Sequence, residues 1–398
     1  MLLSGFFNKI ITIKLKINFQ DNNKSGIQQV VKRFLPGKSK IHSLTEIVRP
    51  TLLIREKQAR ENIRHMSSKA RSSGIIFRPH FKTHQSAQIG EWFRSEGVEQ
   101  ITVSSLPMAD YFARHGWKDI TVAFPVNIRE KKLIRKLARQ IRLQLLVESE
   151  ETIDFLAKNI KVPLKLWIKV DVGYHRSGLS WDDDNSLLKL ARHIRKTQHV
   201  PEGLLTHAGH SYHVRGKTRL LEIYHESVQK LNHARDVLLS GGIAPLKISY
   251  GDTPTCSVAE EFHGIDEIRP GNFVFYDVMQ LQIGSCTEAE IACAMVCPVV
   301  AKYPERQELL IHGGAVHLSK EFILDEKEQK VFGYIAPWNG NSWGPIIPGC
   351  RVSALSQEHG IIKASLALLT DIKVGDLLAI LPVHSCLAMD LMDDFVLV

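Results

Sequence analysis

The chain has 398 residues, 44% hydrophobic and 23% charged, with a formal net charge of +9. That composition is ordinary for a globular protein and excludes collagen-like and disordered classes, and the length predicts two domains, since single cores stop growing near ~250–300 residues. The sequence holds no uninterrupted apolar run of about 18 residues, so no membrane-spanning helix is expected, and the six cysteines are too sparse for a disulfide scaffold, which points to a reducing, cytoplasmic setting.

Residues 1–44 read as a variable N-terminal extension. No acidic residue precedes Asp21, and Lys9, Lys14 and Lys16 interrupt the apolar run, unlike a secretory signal. From Arg49 onwards, apolar runs alternate with stretches of helical spacing. Thr51–Ile54 precedes a helix over Glu56–Ala70. Gly74–Arg78 precedes one over Ser86–Phe93, and Ile101–Val103 one over Pro107–His115. Asp119–Phe124 leads to 128–146, where seven Lys or Arg accompany one Glu and apolar residues recur at helical spacing. Without a nucleic-acid motif or interleaved aromatics, this predicts a helix with a solvated basic face rather than a nucleic-acid surface. Leu143–Val147, Leu164–Asp171, Gly203–His207, Leu246–Tyr250 and Glu267–Arg269 continue the series. Strands spaced by helices imply parallel βαβ units. About eight of them over residues 45–285 predict an α/β fold of the (β/α)₈ barrel type, with a doubly wound sheet as the alternative. Past residue 285, the short runs Ile291–Ala301, Glu308–His312, Ile361–Leu368, Leu377–Leu381 and Phe395–Val398 predict a smaller all-β domain over 286–398.

The polar clusters fall at predicted strand ends. Phe77-Arg78-Pro79-His80-Phe81-Lys82-Thr83-His84 places Lys82 just past a strand that Pro79 terminates. Beside His80, His84 and Arg78, a lysine sits among groups that disfavour its protonation, as a Schiff-base lysine requires; a solvated loop lysine is the bland alternative. Lys169 to Gly178 turns at Gly173 and leaves Arg176 near the barrel mouth. Thr206 to His213 carries three histidines. His207, His210 and His213 at spacing three on a loop do not match a zinc pattern, so one is read as packing under a cofactor and the others as solvated. Tyr250-Gly251-Asp252-Thr253 supplies small residues and hydroxyls after a late strand, suited to a phosphate. Near the C-terminus, His384 and Cys386 project to one side of an extended segment. An imidazole beside a thiolate suits Zn²⁺, and two protein ligands imply a catalytic site with open positions; a Cys–His nucleophile pair and an incidental pairing are the alternatives.

In this order, the lysine motif, the Asp171–Gly178 turn, Thr206–Tyr212, Tyr250–Thr255, Arg269–Asp277 and His384-x-Cys386 resemble the D-serine dehydratase and D-threonine aldolase family. These are fold-type III, alanine-racemase-like enzymes that use pyridoxal phosphate. The resemblance runs from about Arg49 to the C-terminus. It implies that Lys82 bonds the cofactor, that Arg176 meets its phenolic oxygen and that Tyr212 lies by its pyridine nitrogen. It also implies that Tyr250, Gly251, Asp252 and Thr253 hold the phosphate, that His207 packs at or below the ring, and that His384 and Cys386 bind zinc. The aldolase branch typically has aspartate with a harder metal at the second metal position, so Cys386 favours the dehydratase branch, in which D-serine or a similar β-hydroxy-D-amino acid gives a 2-oxo acid and ammonia. A D-threonine aldolase, a racemase and a non-catalytic pyridoxal-phosphate-binding protein are the competing readings. A homodimer is implied by the resemblance alone.

Overall fold

The computed structural model describes residues 44–398; the predicted extension lies outside them apart from Leu44. Strand β1 spans Thr51–Ile54, and eight further strands run parallel: β2 (Ile76–Phe77), β3 (Gln100–Val103), β4 (Asp119–Pro125), β5 (Arg142–Val147), β6 (Lys165–Asp171), then, past the two-residue β7 (Leu179–Ser180) that pairs with β6, β8 (Val200–Leu205), β9 (Lys247–Tyr250) and β10 (Glu267–Ile268). Their order, β2-β10-β9-β8-β6-β5-β4-β3, is that of a barrel cut between β2 and β3. The cut is closed just beyond β2, where Phe81 N–H donates to Thr102 O (2.8 Å) and Thr102 N–H donates to Pro79 O (2.9 Å). The residues that complete the barrel therefore also deliver Lys82 to its C-terminal mouth, where such barrels keep their chemistry.

The barrel interior is layered. Trp167 Nε1–H donates to Gln144 Oε1 (2.7 Å), Gln144 Nε2–H to Asp119 Oδ1 (2.7 Å), and Arg78 bridges Asp119 (2.6 Å) and Glu267 (2.8 Å). Ser249 Oγ–H donates to Glu267 Oε1 (2.6 Å) and accepts from Arg269 Nε–H (2.5 Å). This chain of partners satisfies buried charges that would otherwise cost several kcal/mol each. It uses Arg78 for the interior, so Arg78 is not the neighbour of Lys82 that the motif suggested. Gly203 makes room for Trp167: a Cβ there would stand 2.4 Å from the indole ring.

The second sheet is antiparallel for the most part. It contains β11 (Cys293–Tyr303), β12 (Glu308–His312), β15 (Gly333–Pro337), β16 (Arg351–Leu355), β17 (His359–Lys363) and β18 (Leu377–Pro382), with β13 (Ile323–Leu324) and β14 (Lys330–Val331) forming a separate hairpin and β19 (Val396–Leu397) at one edge. Because β11 pairs with both β12 and β18, these six long strands close on themselves as a second, smaller barrel. Here β1 differs from its expected place: it pairs with β11 and β19, so Thr51–Ile54 belongs to this sheet and not to the parallel series. The basic helix also ends sooner than expected, at Lys131–Ala138, with Ile134 and Leu137 buried and Lys131, Lys132, Arg135 and Lys136 exposed; Leu145 lies in β5. The stretch read as a strand over Ile361–Leu368 stops at Lys363, and Ser365 caps a short helix over Leu366–Asp371 by accepting from Leu368 N–H (3.2 Å). All six cysteines are free. Among the described residues no helix is long and apolar enough to cross a membrane.

Candidate active site

Lys82, Arg176, His207, Tyr212, Asp252, Thr253, His384 and Cys386 line one cavity of about 900 Å³ at the mouth of the parallel barrel. That volume is within the range of small-molecule sites. Tyr250 and Gly251 stand behind the wall. Tyr250 is fully buried, its hydroxyl 2.9 Å from Thr255 Oγ1, and Gly251 O accepts from His207 Nδ1–H at 2.8 Å.

Each loop is held by its own carboxylate. Asp171 accepts from the N–H groups of Gly173, Tyr174 and His175, which fixes the turn before Arg176. Asp252, fully desolvated, accepts from Thr255 N–H (2.8 Å), Thr255 Oγ1–H (2.7 Å) and Ser211 Oγ–H (2.9 Å). Burial pushes its pKa up, and its acceptor capacity is spent on the loop. It therefore shapes the loop that Thr253 presents and offers nothing to an anion directly. Asp277 accepts from Ser385 N–H (2.9 Å) and from Asn272 Nδ2–H (2.6 Å), which starts the helix Ser385–Leu391.

The cavity floor is cationic. Lys169, 5% exposed, has Val170 O as acceptor at 3.2 Å, and burial followed by Arg269 and Arg176 pushes its pKa down to about 7. Arg269 is buried below, held by Ser249 and the carbonyl of Thr206. With Lys82 and Arg176 above, four basic side chains face a space whose acids, Asp252 and Glu321, are already engaged. Such a set is stabilised by an anionic guest. His207, desolvated and close to Lys82 and Arg176, is held well below the usual imidazole range and stays neutral. Its Nδ1 carries the proton donated to Gly251 O. Burial and Asp252 hold Tyr212 well above its usual value, so it remains a phenol, hydrogen-bonded to Thr253. His80 is likewise depressed by burial, then by Lys82, and its Nδ1 accepts from Lys82 N–H at 3.3 Å. His84 turns away into a cluster of Phe81, Phe93 and Phe112. Of the three basic groups expected around Lys82, only His80 is beside it.

His384 and Cys386 meet, but not on a strand. β18 ends at Pro382, His384 is the cap residue of the helix Ser385–Leu391, and Cys386 lies in its first turn. Their side chains are hydrogen-bonded to each other. Burial pushes the Cys386 thiol up, and the contact with His384 outweighs it, so the net shift is downward. His384 is pushed up to about 11: burial lowers it, and Cys386 and Glu321 more than compensate. The two side chains share a proton that a borderline-soft cation can displace. His384 Nδ1 is 2.7 Å from Glu321 Oε2, a contact that fixes the orientation of the ring. Among the described residues no third His, Cys, Asp or Glu completes a cluster with the pair. Cys386 Sγ also lies 3.2 Å from Thr83 Oγ1, so one hydrogen bond joins the lysine loop to the His–Cys pair across 303 residues of chain. Sequence reasoning assigned no role to Thr83, Lys169, Arg269 or Glu321. Glu321, 63 residues from its partner, carries no local signal at all.

Residues 54–278 match the alanine racemase N-terminal domain, and residues 292–398 match a serine dehydratase domain. The chain is 29% identical to the D-serine dehydratase of Dictyostelium discoideum, over 87% of this chain and 92% of that one. It is 28% identical to the D-threo-3-hydroxyaspartate dehydratase of Delftia sp. strain HT23, over 85% and 90%. The structure of the Delftia enzyme superposes with a TM-score of 0.83 at 26% identity, covering 89% of this chain and 96% of that one. A cysteine-to-alanine variant of it, described as being in the metal-free form, superposes with a TM-score of 0.84, at 26% identity over 90% and 96%.

Proposed function

The chain belongs to the alanine racemase N-terminal domain family, and from that premise we propose that it is a pyridoxal-phosphate- and zinc-dependent dehydratase acting on D-serine or a similar β-hydroxy-D-amino acid. The observation that carries the proposal is the Thr83–Cys386 contact, which joins the lysine loop to the His–Cys pair in one cavity. The cofactor fits the residues present. Lys82 would bond it, Lys169 and Arg176 answer its negative oxygens, and Thr253 with the Gly251 and Asp252 backbone would hold its phosphate. His207 and Tyr212 complete the enclosure, the first neutral and the second a phenol, while Tyr250 acts from behind through Thr255. Pyridoxal phosphate supplies an electron sink for negative charge at the substrate α-carbon. Zinc, held by His384 and Cys386, supplies a Lewis acid for the departing β-hydroxyl.

The residues divide the remaining work. Lys82 Nζ, once free, is the base that takes the α-proton. Thr83 and Asn272 orient the Cys386 sulfur, the latter donating from Nδ2 at 3.7 Å. By engaging Nδ1, Glu321 leaves His384 Nε2 as the nitrogen that would hold the cation. Arg176, over the face of Tyr174 at 5.1 Å, is held as a planar donor at the mouth.

The test is Cys386→Ala with D-serine as substrate. Loss of a Lewis acid worth several kcal/mol lowers turnover by about 10³-fold or more, with the absorbance of the lysine-bound cofactor retained. Full activity in the metal-free variant would remove the role given to the pair.

A further inference from the structure

A second group of metal-type donors lies away from the cavity. β12 ends at His312, the four-residue helix Ala315–Leu318 carries His317 back towards it, and the turn between β16 and β17 brings in Glu358. Glu358 Oε2 is 3.6 Å from His312 Nε2 and 3.8 Å from His317 Nε2, and ligand atoms of all three residues lie within 4.8 Å of one another. Among the described residues it is the only such trio. These separations are too long for hydrogen bonds. They are close to the distance of about 3.4 Å between two ligands of one tetrahedral zinc ion with bonds near ~2.1 Å.

The scaffold is set by the backbone. Gly313 N–H donates to Glu358 O (2.9 Å), Ala315 N–H to Ser356 O (2.8 Å) and Val316 N–H to Gln357 O (3.2 Å). Gly314 is needed for that approach, since a Cβ would stand 2.3 Å from Gln357 O. The side chain of His317 is 13% exposed, against 40% for His312 and 48% for Glu358, so the trio has a buried base and an open face for water. His317 Nδ1 accepts from Gly314 N–H at 3.2 Å, a contact that is given up when a cation on Nε2 leaves the ring proton on Nδ1.

We propose that His312, His317 and Glu358 form a second metal site, taking zinc or a similar borderline divalent cation with water as the fourth ligand. Two imidazoles and one carboxylate suit Zn²⁺ and disfavour Mg²⁺ and Ca²⁺. The site has a route to the cavity. His317 precedes by four residues the Glu321 that holds His384, and its helix packs on the helix Ser385–Leu391. A cation here anchors the base of the segment that presents Glu321.

The experiment counts metal. Full-length protein loaded with pyridoxal phosphate is stripped with chelator, reloaded with Zn²⁺, desalted and measured by elemental analysis. The parent is expected to hold two zinc ions per chain, Cys386→Ala one, Glu358→Gln and His317→Gln one each, and Cys386→Ala/Glu358→Gln none. Loading with Co²⁺ separates the sites: the sulfur-to-cobalt charge-transfer band persists in Glu358→Gln and is missing from Cys386→Ala. A single ion lost in Glu358→Gln and His317→Gln but kept in Cys386→Ala would uphold this site and overturn the His384–Cys386 one. Glu358→Gln and His317→Gln that both hold as much zinc as the parent would overturn the proposal.

Discussion

Replacing Lys169 by methionine should make the cofactor-free protein more stable at acidic and neutral pH and leave it little changed at alkaline pH. Burial first, then Arg269 and Arg176, lower the Lys169 pKa from 10.5 to about 7. Below about pH 7 both folded and unfolded chains carry the proton, and the folded chain bears the full cost of a desolvated charge. Between about pH 7 and 10.5 the unfolded chain binds a proton that the folded chain does not, so stability rises with pH until the cost has gone. At ~1.4 kcal/mol per tenfold change, the full span is worth about 5 kcal/mol, an upper bound because buried sites relax. Urea unfolding of parent and variant from about pH 6 to about pH 10 should show a gap of several kcal/mol that closes at the alkaline end. Bound pyridoxal phosphate should reverse the sign, since its anion repays the charge. A gap that stays constant across this range would refute the reasoning.

Two further substitutions test the frame and the metal pair. Arg78→Met leaves Glu267, with 1% of its side chain exposed, inside the barrel without its cation, while Asp119 keeps Arg142 at 3.4 Å, and should cost about 3–5 kcal/mol in urea unfolding; an unchanged midpoint would mean that the interior chain of partners is not holding the Glu267 charge. Glu321→Gln should weaken zinc at His384 and Cys386 by about 10–100-fold in competition with a chromophoric chelator, and equal affinity would show that the 2.7 Å contact does not orient the ring.

Much of the architecture was legible because its signals are local. Apolar runs such as Ile101–Val103 and helical stretches such as Glu56–Ala70 repeat in the pattern that parallel barrels require, and the polar clusters sit at strand ends. The family expected from those motifs is the one the comparisons return. Partner choice is not local. Thr51–Ile54 is four buried residues that would read the same in either sheet, and only pairing with β11 and β19 assigns it. The pair at 384 and 386 was found, but its conformation was not. Asp277, 108 residues earlier, takes the Ser385 N–H and turns an expected strand into a helix start. Arg78 and His84 were misread as neighbours of Lys82 because adjacency in a loop says little about where long or aromatic side chains point once a core is available. The carboxylate that positions His384 comes from an unrelated loop, and nothing in its surroundings marks it.

The most direct measurement is a product assay on protein loaded with pyridoxal phosphate and Zn²⁺, with D-serine and D-threonine supplied separately, with and without EDTA. Pyruvate and ammonia from D-serine, lost on chelation, is the result expected of a dehydratase in which Lys82 and the His384–Cys386 pair act together. Glycine and acetaldehyde from D-threonine, with no 2-oxo acid from either substrate, would contradict it and place the same cavity in retro-aldol chemistry.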